Sequence, residues 1–173
     1  AGQGPWPAVL VIHENRGLNP YIEDVARRAA VAGFIALAPD GLSPLGGYPG
    51  NDDDGRAMQS KLDQAKLRMD MLNAAWWVKK LPVSNKKLGV TGFCWGGGTT
   101  NFIATAMGAD LQAAAPFYGA AAETEAVAKI GSANNSKVVM LPIEAASLIG
   151  SLGGMGAIAQ EVFRSEATGG AQR

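Results

Sequence analysis

Unbroken apolar runs alternate along the chain with segments whose apolar residues recur every three or four positions. The run at 8–13 is rich in β-branched residues, which predicts a strand buried on both faces, and further strands are predicted over 34–38, 87–91 and 112–118. The periodic segments predict helices over 20–32, 56–80 and 97–107. Strands that alternate with helices form parallel sheets with right-handed crossovers. We therefore expect an α/β fold, a mostly parallel sheet with helices on both faces.

Capping signals and apolar stripes place the first two helices. Asn19 is the predicted N-cap of the first helix, Pro20 its first residue and Gly33 its stop. Its inward stripe is predicted to be Ile22, Val25, Ala29 and Ala32. The stripe of the second helix is predicted to be Leu62, Ala65, Met69, Leu72 and Trp76. Trp76 and its neighbour Trp77 are expected in the core and at its rim rather than in a ligand site.

Polar residues follow each predicted strand. Glu14, Asp40, Cys94 and Tyr118 stand at the four carboxyl ends, which meet at one rim of a parallel sheet and hold the site in such folds. Residues 39–55 hold five glycines and three prolines, which predicts a long loop. Long loops in α/β enzymes usually shape the site.

The turn at residues 92–98, Gly-Phe-Cys-Trp-Gly-Gly-Gly, joins a predicted strand to a predicted helix. Gly-x-Cys-x-Gly at such a corner has the form of a nucleophile elbow with cysteine in place of serine. The helix N-terminus favours a thiolate and a developing oxyanion. Two alternatives remain: Cys94 as a small buried apolar residue, and a phosphate-binding glycine turn. The second is weaker, because neither a P-loop lysine nor a Gly-x-Gly-x-x-Gly pattern is present.

Composition excludes several classes of protein. Hydrophobic residues make up 47% of the 173 residues and charged residues 17%, which excludes a disordered chain. Fifteen basic and fifteen acidic residues balance, so neither nucleic acid nor an anionic membrane is an expected partner. The low-charge stretches 88–109 and 145–160 contain too many glycines for membrane spans. We expect a soluble protein without metal or cofactor, cytoplasmic, or periplasmic if a leader was removed.

Four stretches resemble the dienelactone hydrolase family, which includes carboxymethylenebutenolidase-like cysteine hydrolases of the α/β-hydrolase fold. They are residues 12–19, 38–47, 90–98 and 115–119, in order and at suitable spacing. The resemblance covers about two-thirds of the chain, residues 9–119. It implies a truncated α/β-hydrolase fold, with the family's first strands absent or reduced before Val9. The implied activity is hydrolysis of a small lactone or carboxylic ester.

The resemblance also assigns roles to individual residues. It makes Cys94 the nucleophile and Glu14 the carboxylate that contacts the resting thiol and helps to generate the thiolate. The backbone N–H groups of Asn15 and Trp95 match the oxyanion hole. Independently of the resemblance, the positive charge of Arg16 makes it a candidate for steering an acidic substrate.

Two of these positions have a structural interpretation as well. Glu14 could form an ordinary salt bridge to Arg16 or Arg27, and Arg16 could be a solvated loop charge. His13 lies in a matching stretch, but it is not the family's base. At a buried strand end it is expected to be structural.

The chain departs from the family after Gly119. No Asp or His follows this residue, so the triad acid and base are absent; the last aspartate is Asp110 and the one histidine is His13. We expect slow acylation and poor deacylation. Residues 129–154 resemble the C-terminal end of stomatin-like (SPFH, band 7) proteins. We therefore divide the chain into a hydrolase-like domain, 1–119, and a divergent segment, 120–173.

Within the divergent segment, residues 137–141 predict a strand that could add to the edge of the sheet, and 157–165 a short helix. An alternative function also follows from the missing triad residues. The chain would then be a catalytically inactive hydrolase domain that acts in binding or self-association, because apolar residues left by missing strands favour association.

Overall fold

The computed structural model of the protein describes residues 4–119 and 137–138. Strands and helices alternate along them as the sequence predicts. The strands are β1 (Trp6–Ile12), β2 (Ile35–Leu37), β3 (Ser84–Phe93), β4 (Ala113–Phe117) and β5 (Lys137–Val138). The helices are α1 (Pro20–Val31), α2 (Asp52–Gln59), α3 (Gln64–Lys80) and α4 (Trp95–Met107), with short 3₁₀ turns at Ser43–Leu45 and Gly108–Asp110.

The five strands form one sheet in the order β2-β1-β3-β4-β5, and every described pair is parallel. After β1 the chain moves to one side for β2 and then crosses to the other side for β3. The ends of β1 and β3 are therefore the topological switch point, where a crevice opens beyond the carboxyl ends of the strands. The expected edge strand is confirmed at Lys137 and Val138; the rest of it and the helix predicted over 157–165 lie outside the described residues.

Helices cover both faces of the sheet, as predicted. On one face, α3 and α4 pack on the strands through a buried cluster that includes Met71, Ile103, Leu10 and Val90. On the other face, α1 packs through Ile22 and Val25 against β1, β3 and β4. Most of β1, β3 and β4 is buried between these layers, which explains the apolar residues in these strands.

Helix α1 begins where the sequence predicts. The Asn19 side chain accepts a hydrogen bond from the Ile22 N–H, 3.1 Å, and Pro20 is the first helical residue. Ile22, Val25 and Ala29 are buried as expected. Ala32 is not: it is the C-cap and is exposed, so its place in the inward stripe was wrong.

The single helix predicted over 56–80 is in fact two helices, and the preceding loop is shorter than predicted. Helix α2 begins at Asp52, because Asn51 caps the Asp54 N–H at 2.9 Å. Helix α3 begins after Asp63, whose carboxylate accepts from the N–H groups of Ala65 and Lys66. These two caps satisfy N–H groups that a continuous helix would have used internally, and they separate α2 from α3.

The predicted apolar stripe of this region was wrong in part. Helix α3 buries Leu67, Met71, Ala75 and Val78, whereas Ala65 and Met69 are exposed. The predicted stripe combined positions from both sides of the break between the helices. It therefore identified the wrong face of α3 as buried. Leu62, Leu72 and Trp76 are partly buried and pack against the core beside the true stripe, while Trp77 is exposed.

The stretch 88–109, which contains no charged residue, is divided between β3 and α4 by the turn at Cys94. Among the residues that the structure describes, no helix is long and apolar enough to cross a membrane.

Candidate active site

The ends of β1, β3 and β4 bring three polar side chains to one place. In the sheet, Ile12 lies beside Gly92, and Gly92 lies beside Pro116. Two residues further along each strand are Glu14, Cys94 and Tyr118. The sequence predicts these residues at strand ends, and the observed register sets them in one row across the switch point.

Cys94 occupies the strained corner expected of a nucleophile elbow. Its backbone has φ 55° and ψ −116°, a left-handed conformation that residues with a Cβ rarely adopt. Its N–H donates to the Phe117 carbonyl at 3.0 Å, and its own carbonyl accepts from the Gly98 N–H at 3.1 Å. These bonds join the corner to β4 and to α4, so the position of the cysteine is determined on both sides.

Glycines allow the start of α4 to pass close to the sheet. A Cβ on Gly96 would lie 2.5 Å from the His13 carbonyl oxygen and 2.6 Å from that of Ile12. A Cβ on Gly97 would lie 2.5 Å from the Phe117 carbonyl oxygen. All of these atoms are backbone atoms, so no side-chain movement could relieve the overlap. The glycines therefore hold the helix N-terminus against the ends of β1 and β4.

The two N–H groups expected in an oxyanion hole belong to Trp95 and Asn15. Trp95 is the first residue of α4, and the hydrogen bond from Gly98 to Cys94 is the first turn of that helix. Its N–H therefore lies among the N-terminal groups that have no acceptor within the helix. Asn15 follows Glu14 in the turn after β1. Their role as oxyanion donors stays a prediction.

Glu14 is held from two sides. The Tyr118 hydroxyl donates to its Oε1 at 2.6 Å, and Arg16 Nε lies 3.3 Å from its Oε2, without the alignment of a hydrogen bond. The glutamate side chain is only 13% exposed. The salt bridge to Arg16, which is the structural alternative for Glu14, is thus present. The expected contact of Glu14 with the thiol stays a prediction.

Arg16 bridges two carboxylates. Its Nη1 donates to Asp52 Oδ2 at 2.8 Å, while its Nε faces Glu14. The hydrogen bond from Arg16 lowers the pKa of Asp52, and the same bond raises the pKa of Arg16. The other Asp52 oxygen accepts from the Tyr48 hydroxyl at 2.8 Å and from Asn19 Nδ2 at 3.2 Å. Arg16 is therefore a fixed charge rather than a freely solvated one.

One face of α2 supports the loop that carries these residues. Asp52, Gly55 and Gln59 are spaced three and four apart and so lie on the same side of the helix. Gln59 Oε1 accepts from the Gly17 N–H at 3.0 Å, and Gly55 packs directly against the Arg16 carbonyl. A Cβ at position 55 would overlap that oxygen, which explains why glycine suits a helix interior here.

His13 is structural in this geometry, as expected. It has no exposed surface, its Nδ1 lies 2.6 Å from the Glu14 carbonyl, and its Nε2 accepts from the Gly41 N–H at 3.0 Å. These partners require the neutral ring with the proton on Nδ1. Burial lowers the pKa of His13 and favours the same neutral form. Its ring stacks on Trp95, with 5.6 Å between ring centroids.

Two residues of the site were not assigned a role from sequence. Tyr118 was expected at the rim, but nothing in the sequence showed that its hydroxyl reaches Glu14. Asp52 lies in an acidic run that belongs to the predicted loop over 39–55. The strand-end position was the available signal for the first. For Asp52, the capping residue Asn51 marked a helix start.

Asp40, which follows β2, has a structural role on the same rim. Its Oδ1 accepts from the N–H groups of Leu18 and Leu42, and its Oδ2 from that of Tyr48. The carboxylate thus joins the turn after β1 to the loop after β2. Within 4–119, no group of three or more His, Cys, Asp or Glu side chains is arranged to hold a metal ion.

Comparison with known proteins identifies the group to which this site belongs. Residues 1–144 match the model of the dienelactone hydrolase family. The match continues past residue 119, and the comparisons give no support to the stomatin-like resemblance. The division of the chain at residue 119 stays a prediction.

Two relatives show how much of a longer protein the chain resembles. A provisionally named hydrolase fragment of Escherichia coli, YghX, is 75% identical over 60 residues, 35% of this chain and 51% of that protein. A provisionally named carboxymethylenebutenolidase of Yersinia pestis is 32% identical over 119 residues, 67% of this chain and 44% of that protein. The chain spans about half the length of these relatives.

Solved structures support the same fold. A provisionally named dienelactone hydrolase from Klebsiella pneumoniae superposes with a TM-score of 0.60 at 27% identity, covering 82% of this chain and 62% of that one. The dienelactone hydrolase-like promiscuous phosphotriesterase P91 from metagenomic libraries superposes with a TM-score of 0.55 at 29% identity, covering 80% and 57%. The described sheet and helices are therefore those of an α/β hydrolase.

Proposed function

Because the chain belongs to the dienelactone hydrolase family, we propose that it hydrolyses small carboxylic esters or lactones with Cys94 as the nucleophile. The observation that carries this proposal is the corner at Cys94. A non-glycine residue at φ 55°, between a buried strand and a helix N-terminus, is the geometry that α/β hydrolases use to present a nucleophile. A structural cysteine would gain nothing from this strained backbone.

In the proposed reaction, Glu14 takes the proton of the Cys94 thiol and the sulfur attacks the carbonyl carbon. A C–S bond forms, the ester C–O bond breaks, and the alcohol leaves with a proton. Water then attacks the thioester, which releases the carboxylic acid and restores the thiol. The N–H groups of Trp95 and Asn15 would stabilise the oxyanion at each attack.

Glu14 is the base in this proposal because His13 is not free to act. His13 is the one histidine in the 173 residues, and both of its ring nitrogens are already bonded. A carboxylate is a weaker base than imidazole, but a thiol needs less help than a serine hydroxyl. We therefore propose that acylation outpaces deacylation, so that the thioester accumulates.

We keep Arg16 as a substrate-binding candidate, but its contacts favour a second role. Its guanidinium already faces Glu14 and Asp52, so little positive charge is left over for an acidic substrate. Its side chain is 26% exposed, which supports contact with a bound molecule at one edge. The alternative of a domain that acts only in binding or self-association stays a prediction.

The proposal is tested by the burst of p-nitrophenolate from p-nitrophenyl acetate at neutral pH. We expect a burst of about one equivalent followed by slow turnover, because the acyl-enzyme accumulates. Cys94→Ala should abolish the burst and Glu14→Gln should slow it. The matched control is Glu23→Gln, since Glu23 pairs with Arg27 on the exposed side of α1, 2.7 Å. An equal burst or equal turnover in Cys94→Ala would overturn the proposal.

A further inference from the structure

The hydrogen bond between Tyr118 and Glu14 crosses the end of the strand that carries Cys94. Strands β1 and β4 flank β3, so their ends are separated by two strand spacings, about 10 Å in all. Glu14 follows β1 and Tyr118 follows β4, yet the phenol oxygen lies 2.6 Å from the carboxylate. The two side chains therefore meet over the row that contains Cys94.

The backbone of Tyr118 is fixed in a way that directs its side chain. Its φ of 37° is left-handed, which is unusual for an aromatic residue. The next residue, Gly119, packs against the backbone of Gly97 at the start of α4, where a Cβ would lie 2.7 Å from the Gly97 Cα. The Tyr118 ring also lies beside Phe93, with 6.5 Å between centroids. The tyrosine is thus attached to the same elements as the elbow.

The hydrogen bond has a defined direction. Burial and the bond to Glu14 raise the pKa of Tyr118, so the phenol is protonated at neutral pH and above. The neutral phenol donates to Oε1, while Arg16 stands beside Oε2. Each oxygen of Glu14 therefore has one partner, and the carboxylate is held in a single orientation.

We propose that Tyr118 is a positioning residue for Glu14, which holds the carboxylate at the place where it takes the proton of Cys94. This inference rests on the proposed function, in which Glu14 is the base. Tyr118 acts through Glu14 and does not itself exchange a proton with the substrate. Its removal should therefore slow acyl transfer without weakening the binding of the ester.

The first test compares single-turnover acylation by p-nitrophenyl acetate. Tyr118→Phe removes only the hydroxyl, and we expect the acylation rate to fall roughly tenfold, because a hydrogen bond to a charged group is lost. The ester concentration at half-saturation should not change. The control is Tyr21→Phe, since Tyr21 packs on Phe93 with 5.9 Å between ring centroids and is 57% exposed. It should acylate at the wild-type rate.

A double variant separates positioning from an independent effect. In the Glu14→Gln background, Tyr118→Phe should cause no further loss, because the two residues act as one unit. A full tenfold loss in that background, or an unchanged rate in Tyr118→Phe alone, would overturn the proposal.

The second test does not depend on activity. Tyrosinate absorbance is followed to about pH 11, where a phenol with the ordinary pKa of ≈10 is mostly ionised. Glu14→Gln keeps the burial of Tyr118 but loses the hydrogen bond that also raises its pKa, so more tyrosinate should form at a given pH than in wild type. This difference should disappear when both proteins also carry Tyr118→Phe.

The two tests distinguish failure of the function from failure of this inference. If the titration differs between wild type and Glu14→Gln but the wild type is not acylated, the hydrogen bond is confirmed. The proposed function is then refuted, and the positioning role with it. A wild type that acylates through Cys94, but whose phenol titration is the same in Glu14→Gln, would overturn only the role of Tyr118.

Discussion

The buried neutral His13 should make the protein less stable in mild acid. Its ring has no exposed surface, and Nε2 must remain unprotonated to accept from Gly41. Its pKa is lower in the folded protein than the ordinary value of 6.5, chiefly because of burial. Above pH 6.5 the ring is neutral in both states, and the full stability is present. Below it the unfolded chain takes up a proton that the folded protein refuses, so stability is lost as pH falls.

The size of this loss of stability follows from the uptake of one proton by the unfolded chain. Between about pH 7.5 and pH 5.5 the free energy of unfolding should fall by about 1.4 kcal/mol, provided that the folded ring stays neutral throughout. With a urea m-value of about 1–3 kcal/mol/M, the midpoint should move down by roughly 0.5–1.4 M. Urea unfolding followed by circular dichroism at the two pH values measures this shift.

His13 is the one histidine in the chain, so no second imidazole can produce the same effect. In His13→Gln the midpoint should be lower at both pH values but nearly independent of pH in this range. A wild-type midpoint that does not move between them would refute the reasoning, because it would mean that the folded ring accepts a proton as readily as the unfolded one.

Two further changes test the construction of the site. Gly96→Ala should lower the free energy of unfolding by about 1–3 kcal/mol and abolish acylation, because the new Cβ would overlap backbone oxygens. The control is Gly89→Ala, whose Cβ would have no neighbour nearer than 3.8 Å and which should change the urea midpoint little. The bond from Arg16 lowers the pKa of Asp52, so stability from this pair is present above the ordinary value of 3.8 and lost as pH falls through the lowered one. The urea midpoint should therefore fall less between about pH 5 and pH 3 in Asp52→Asn than in the control Asp53→Asn, whose carboxylate is exposed. An equal fall in the two variants would contradict the stabilising bond between Arg16 and Asp52.

The sheet was predictable because its strands contain the apolar stretches that a parallel sheet covered on both faces requires. The elbow was predictable because glycines surround Cys94 at the point where the period changes from strand to helix. The residue types alone predict the N-cap at Asn19, and the structure confirms it. In each case the local sequence agrees with the fold around it.

The break between α2 and α3 was missed because the apolar spacing continues across it. Asp63 decides the point at which α3 starts, and its capping role competes with a place inside a longer helix. Once that start moved, the buried face of α3 moved with it, from Met69 to Met71. The interval of three or four residues is identical for both faces, so periodicity could not choose between them.

The partners of Glu14 could not be read from the sequence either, because they depend on long-range geometry. Tyr118 is 104 positions away from Glu14, and Asp52 is 36 positions away from Arg16. Strand register brings the first pair together and the packing of α2 the second. The sequence offered Arg16 and Arg27 as equal salt-bridge partners for Glu14, and the fold chose Arg16 while Arg27 pairs with Glu23.

The central claim is that Cys94 forms a covalent acyl intermediate, and intact-mass spectrometry tests it most directly. The protein is exposed to p-nitrophenyl acetate at neutral pH, quenched in acid and weighed at successive times. We predict a single acetyl adduct that maps to Cys94, forms more slowly in Glu14→Gln and is absent from Cys94→Ala. A wild type that gains no adduct, or a Cys94→Ala variant that gains the same one at the same rate, would contradict the account.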